Sequence, residues 1–100
     1  MWIRIHDLAI EEIAREIEYY ELRAVGLGAA LLAEIRAAIA LIDAFPRIGA
    51  FDRKRRPERR IAPLDRFPFT LPYEIGVEEI VVLALAHRRR KPGYWRIRLA

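Results

Sequence analysis

Cysteine is absent from this chain, and histidine occurs only at positions 6 and 87. The first absence excludes disulfides and thiolate metal sites, and it removes any pointer to an oxidising compartment. The second leaves too few imidazoles for a histidine-rich metal centre, so neither a metal nor a cofactor is expected. Long apolar runs are missing as well. The best candidate, GLGAALLAEIRAAIALIDAF at 26–45, is broken by Glu34, Arg36 and Asp43, which argues against a membrane span. The opening MWIRIHD carries no apolar stretch with a small-residue cleavage site, so no signal peptide is read. The expectation is a soluble, cytoplasmic chain. Its 100 residues suit a single domain, 1–100, able to bury somewhat more than ~60% of its unfolded surface without covalent staples.

Charge is plentiful and unevenly divided. Residues 1–46 hold four arginines against eight acids, while residues 47–100 hold fourteen lysines and arginines against six acids. Such asymmetry points to a polyanionic partner for one half. It peaks in AHRRRKPGYWRIR (86–98), where six of thirteen residues are cationic and none is acidic. The plainer role for such a run is a solvated basic surface.

The pattern along the chain predicts an α+β fold. WIRIH (2–6) alternates as a strand does, and Asp7 is placed to cap a helix. From Leu8 to about Arg23, Ile10, Ile13, Ile17 and Tyr20 recur at helical spacing, with Glu11, Glu12, Arg15 and Glu18 off the stripe. VGLG links to a second helix, about Leu27 to Phe45, ended by Pro46; two such helices form an antiparallel hairpin. The outer face of the second helix, with Ala33, Ala37, Ala40, Leu41 and Ala44, is short of charge, as a partner-covered surface is, although alanine is also simply a good helix former. RIGAFDRKRRPERR reads as a loop leading into a strand near Arg59–Leu64. RFPFTLPYEI (66–75) reads as a strand made irregular on one side by Pro68 and Pro72. EEIVVLALAH (78–87) reads as one central strand covered on both faces. The expectation is an N-terminal strand, then a helix hairpin packed on a three- to four-stranded, mainly antiparallel sheet, with the positive charge on the sheet face away from the helices.

In order, the chain offers an amphipathic helix ending EYYE, GLG opening the next, FP closing it, then RFPFTLPYEI, IVVLALAH and HRRRKPGYW. This series resembles the RelE/ParE superfamily of bacterial toxins from toxin–antitoxin systems, in particular its plasmid-stabilisation, ParE-like type. Its most specific part is the pairing of Arg66-Phe67-Pro68-Phe69 with His87, Arg90, Pro92, Tyr94 and Trp95. The resemblance covers essentially the whole chain and implies the fold derived above. It also implies growth inhibition, silencing by a cognate antitoxin in a hetero-oligomer, and either of two targets: ribosome-bound mRNA, cut without a metal, or DNA gyrase, inhibited without catalysis.

Cutting RNA requires a proton acceptor for the 2′-hydroxyl, cations for the phosphate and a donor for the leaving oxygen. His87 is the best acceptor by type, since neighbouring arginines disfavour its charged form. Arg66 and Arg90 fall within the family's motif, and Tyr94 is a second proton carrier or a stacking platform. These four are the candidate catalytic residues. Arg59, Arg60, Arg88, Arg89 and Lys91 are candidates for nucleic-acid contact, if the two arginine clusters meet on one phosphate. Ala33, Ala37, Ala40 and Leu41 are the candidate antitoxin surface. Plainer roles exist: a backbone hydrogen bond for His87, and a lid on the core for Trp95. The paired lysine and acid that some RelE-like nucleases use have no counterpart with diagnostic spacing, since Lys54 and Glu58 lie in the basic loop. A second reading is a non-catalytic module that binds an antitoxin and helps to repress their operon.

Overall fold

Alternation in WIRI and the three-to-four spacing after it generate the first two elements. In the computed structural model, which describes residues 1–98, strand β1 spans Trp2–Ile5 and helix α1 spans Asp7–Arg23. The cap is His6 rather than Asp7: its Nδ1 accepts from the Leu8 amide at 3.1 Å. Asp7 instead occupies the first helical turn, where its charge suits the exposed amide dipoles. The inward stripe runs through Ala9, Glu12, Ile13, Ile17 and Tyr20. Ile10, expected inside, is 51% exposed, and Glu12, expected off the stripe, is buried.

Helix α2 spans Leu27–Ala44. Its N-terminus has no side-chain cap of its own, so Glu21 of α1 supplies one, accepting from the amides of Gly26 at 2.8 Å and Gly28 at 3.0 Å. Glycine is required at position 28: a Cβ there would lie 2.6 Å from the Ile17 carbonyl oxygen. The helices can therefore approach closely at this end. Leu31, Ile35 and Ile42 point into the core, while Ala33, Ala37, Ala40 and Leu41 are exposed.

The remaining strands are β2 (Ala50–Arg53), β3 (Glu58–Pro63), β4 (Phe69–Ile75), β5 (Glu79–Val82) and β6 (Ala86–His87), followed by a 3₁₀ turn at Tyr94–Arg98. The sheet order is β1-β5-β4-β3-β2, with β6 also paired to β4. β1 runs parallel to β5, and the other pairings are antiparallel. The sheet is thus six-stranded rather than three- to four-stranded. One added strand is β2, drawn out of the basic loop against β3 with an irregular register between Phe51 and Arg53. The other arises because the 78–87 run is two strands, not one. The core between helices and sheet gathers Leu31, Ile35 and Ile42 with Phe67, Phe69, Leu71, Tyr73, Ile80 and Val82.

Pro72 explains the split. In an antiparallel strand the N–H and C=O of one residue face the same neighbour. The Pro72 carbonyl accepts from the Leu83 amide at 2.8 Å, so its missing donor also faces the β5 side. Pairing stops there, and Leu83, Ala84 and Leu85 detour, fully buried, before β6 resumes opposite Phe69 and Thr70. Buried backbone groups released by such a detour need partners. The Leu83 carbonyl receives Nη1 of Arg98 at 2.9 Å, and the Leu85 amide donates to Glu12 Oε1 at 3.1 Å.

Candidate functional site

Glu12 and Arg98 thus repair the two sides of one break, and they also bind each other. Both guanidinium Nη atoms of Arg98 lie 2.8 Å from the carboxylate. The Tyr94 hydroxyl donates to Glu12 Oε2 at 2.7 Å, and Arg90 approaches the same oxygen at 3.4 Å. Burial alone would raise the Glu12 carboxyl, but the Arg98 and Tyr94 hydrogen bonds, the Arg98 charge and the Leu85 amide outweigh it. The group is held below its ordinary range. Burial, then the hydrogen bond to Glu12 and its negative charge, push the Tyr94 phenol up to about 12. The Tyr94 ring is flanked by the guanidinium groups of Arg90 at 3.7 Å and Arg98 at 5.0 Å. Trp95 packs on Val81, Leu83, Ala84 and Ala86 and is 4% exposed. It is a lid on the core at the sheet face away from the helices.

The candidate catalytic residues are only partly brought together. The two motif stretches do meet: Phe69 pairs with His87 in the β4–β6 ladder, and the Arg88 amide donates to the Pro68 carbonyl at 2.9 Å. His87 accepts from the Arg89 amide through Nδ1 at 3.0 Å and sits edge-on to Phe69 at 5.3 Å. Tyr94 and Arg90 belong to the Glu12 cluster. Arg66 lies in the β3–β4 turn, where Glu34 of α2 accepts from the Asp65 and Arg66 amides at 2.5 Å and 2.9 Å. Its guanidinium is 5.8 Å from the Phe67 ring.

Arg59 and Arg60 depart from the expected phosphate contacts. The β3–β4 register sets Arg59 opposite Glu74, and the two pair at 2.9 Å with side chains 14% and 12% exposed. Arg60 points to the other side of the strand. It binds Glu58 at 2.5 Å and the carbonyls of Arg47 and Gly49 at 2.8 Å and 2.7 Å, beneath the Phe51 ring at 3.9 Å. Both guanidinium groups are occupied by their own molecule, so the expected meeting of two arginine clusters on one anion does not form. Arg88 donates to the Leu64 carbonyl at 2.9 Å, and Arg89 and Lys91 are exposed. Sequence reasoning missed Glu12 and Arg98. The available signal was a carboxylate at helical spacing from Ala9 and Ile13, in a chain whose fourth strand holds a proline.

Beside a shallow depression lined by Ala44, Phe45, Pro46, Arg47 and Ile48, two others flank these elements. One, of about 530 Å³, is an apolar groove between α2 and β2–β3, lined by Ala37, Leu41, Ile48, Ala50, Ile61 and Leu64 among others. Ala33 and Ala40 are exposed but do not line it. Phe45 and Phe51 add exposed apolar area in the segments that flank it. The second, of about 230 Å³, lies between β6 and the 3₁₀ turn and is lined by Thr70, His87, Arg88, Arg90, Lys91 and Arg96 around a floor of Ala86 and Trp95.

The family model for the ParE toxin of the type II toxin–antitoxin system parDE matches residues 3–92. This chain belongs to the ParE toxin family. Comparison with curated proteins gives no match. Among solved structures, a chain of the chromosomal ParDE toxin–antitoxin system from P. aeruginosa is similar, with a TM-score of 0.68 and 22% identity over 87% of this chain and 95% of that one. At that identity the likeness speaks for the fold: two helices on a mixed sheet. The ParE-type toxin described here therefore carries that architecture, closed on one face by Trp95 and on the other by the helix hairpin.

Proposed function

We propose that this ParE-type toxin arrests growth by binding and not by cutting, that its target is DNA gyrase, and that a cognate antitoxin silences it by covering the α2 groove. One observation carries the choice of binding over cleavage: the proton-carrying phenol of the motif is already committed. Tyr94 donates to Glu12 and is pushed up to about 12, far from the near-neutral value an acid–base catalyst needs. The pairing of Arg59 with Glu74 and of Arg60 with Glu58 supports the same reading, since those cations have no charge to spare for a transition state. A gyrase inhibitor needs neither group free.

The antitoxin reading rests on the groove of about 530 Å³ and on the exposed Leu41 and Phe45 beside it. A contiguous apolar depression of this kind suits the apolar face of a partner segment. Ala37 and Leu41, which line the groove, are the contacts, with Ala33 and Ala40 exposed on the same helix.

Mapping mRNA 5′ ends after induction without antitoxin tests the proposal. The expected outcome is growth arrest with DNA breaks and intact messages. Codon-phased cuts would return the chain to the ribosome-dependent nucleases, and continued growth would favour the inert, co-repressing module.

A further inference from the structure

The cleft between β6 and the 3₁₀ turn has a charge pattern that the Proposed function does not use. No aspartate or glutamate is among its lining residues. The carboxylates that bind its lining residues are already occupied: Asp52 pairs with Arg96, and Glu12, which accepts from Tyr94, pairs with Arg98. The cations beside them are consecutive and exposed: Arg88, which spends one nitrogen on a neutral carbonyl, Arg89, Arg90, only loosely paired with Glu12 at 3.4 Å, and Lys91. Three of these four line the cleft. Neutral donors accompany them. Thr70 presents a hydroxyl, and His87 uses Nδ1 on the Arg89 amide, which leaves Nε2 without a protein partner among the described residues.

We infer that this cleft is a seat for one phosphodiester of a nucleic-acid backbone. Its volume of about 230 Å³ lies below the roughly 300–1,000 Å³ of pockets that enclose whole organic ligands. That is room for a phosphate and its sugar, not for a helix or a packed apolar cofactor. Three lining cations with Arg89 beside them match a chain that repeats one charge per nucleotide, whereas an isolated acidic side chain brings a single charge. Guanidinium groups also meet two phosphate oxygens at once. The Glu12 cluster fixes one wall of the cleft: it binds Tyr94, on whose ring Arg90 lies at 3.7 Å, while Gly93, at φ +76°, precedes the turn from which Arg96 reaches Asp52. Where gyrase is the target, the phosphate comes from the DNA that gyrase holds. Only this choice of source rests on the Proposed function.

Fluorescence anisotropy of the full chain with short labelled oligonucleotides (single-stranded DNA, duplex DNA and RNA) over a range of salt tests the inference without gyrase present. Binding to at least one probe is expected, with Lys91→Ala several-fold weaker at low salt and its log–log salt slope flatter by roughly 0.7–0.9. Far-UV circular dichroism should match the parent, since Lys91 is exposed. The preferred probe identifies the source of the phosphate. No binding to any probe at low salt, an unchanged slope in Lys91→Ala, or binding of a poly-glutamate peptide in place of nucleic acid would overturn it. Binding without gyrase inhibition would leave this inference standing and remove the gyrase reading instead.

Discussion

Glu12 sits on the inward stripe of α1, a position where a leucine would be the simpler choice. Its carboxylate is tolerated because three kinds of donor meet it: an amide released by the strand break, a phenol and a guanidinium. Breaking a buried pair of this sort by removing one partner leaves the other charged and dry, at about 3–5 kcal/mol. Glu12→Ala is expected to lose stability in that range, measured by urea unfolding at neutral pH; a loss below 1 kcal/mol would mean that water replaces the carboxylate. The pH dependence has a definite sign. A carboxyl held below its ordinary range when folded contributes its full stabilisation above the unfolded value, and the contribution disappears as pH falls through the depressed folded value. The parent should therefore lose stability in that acid window, and Glu12→Gln should lose less of it there, having already lost it at neutrality. An identical acid profile for the two proteins would contradict the assignment.

At the scale of elements, the proline in β4 and the helix groove carry the argument. The alternating and three-to-four patterns located β1, α1, α2 and β4 to within a few residues, because each has a buried face that its own residues must supply. The break after Val82 was not legible. LALA (83–86) is apolar throughout, and a continuous strand and a buried detour bury the same residues; only the Leu83 and Leu85 backbone partners, supplied from α1 and the 3₁₀ turn, distinguish them. β2 was hidden for a different reason. AFDR lies at the sheet edge with none of its residues fully buried, so it shows no alternation. The exposed face of α2 leads to the second expected outcome at this scale. Leu41 is 46% exposed and lines the groove, so Leu41→Arg should leave the fold and toxicity intact while weakening neutralisation by co-expressed antitoxin at least tenfold, read as growth against antitoxin dose. Unchanged rescue would place the antitoxin elsewhere.

For the whole molecule, the acidic N-terminal and basic C-terminal halves were plain from composition, but what the charges meet was not. Arg59 and Glu74 are fifteen residues apart and Arg98 and Glu12 eighty-six; strand register and the return of the chain across the sheet create both pairs. Four of the arginines expected to face a ligand, or to do chemistry, are at least partly engaged within the protein: Arg59, Arg60, Arg88 and Arg90. The surplus positive charge that remains is concentrated at 88–91 and in the loop at 53–56. A molecule built this way has an internally paired sheet, an apolar groove and a basic cleft, and at the family motif Tyr94 is committed to Glu12. The most direct test is supercoiling by purified DNA gyrase with increasing amounts of this chain. Loss of supercoiled product near equimolar toxin, reversed by antitoxin and retained in Tyr94→Phe, is the expected result; undiminished supercoiling at a large excess of folded toxin would contradict the account.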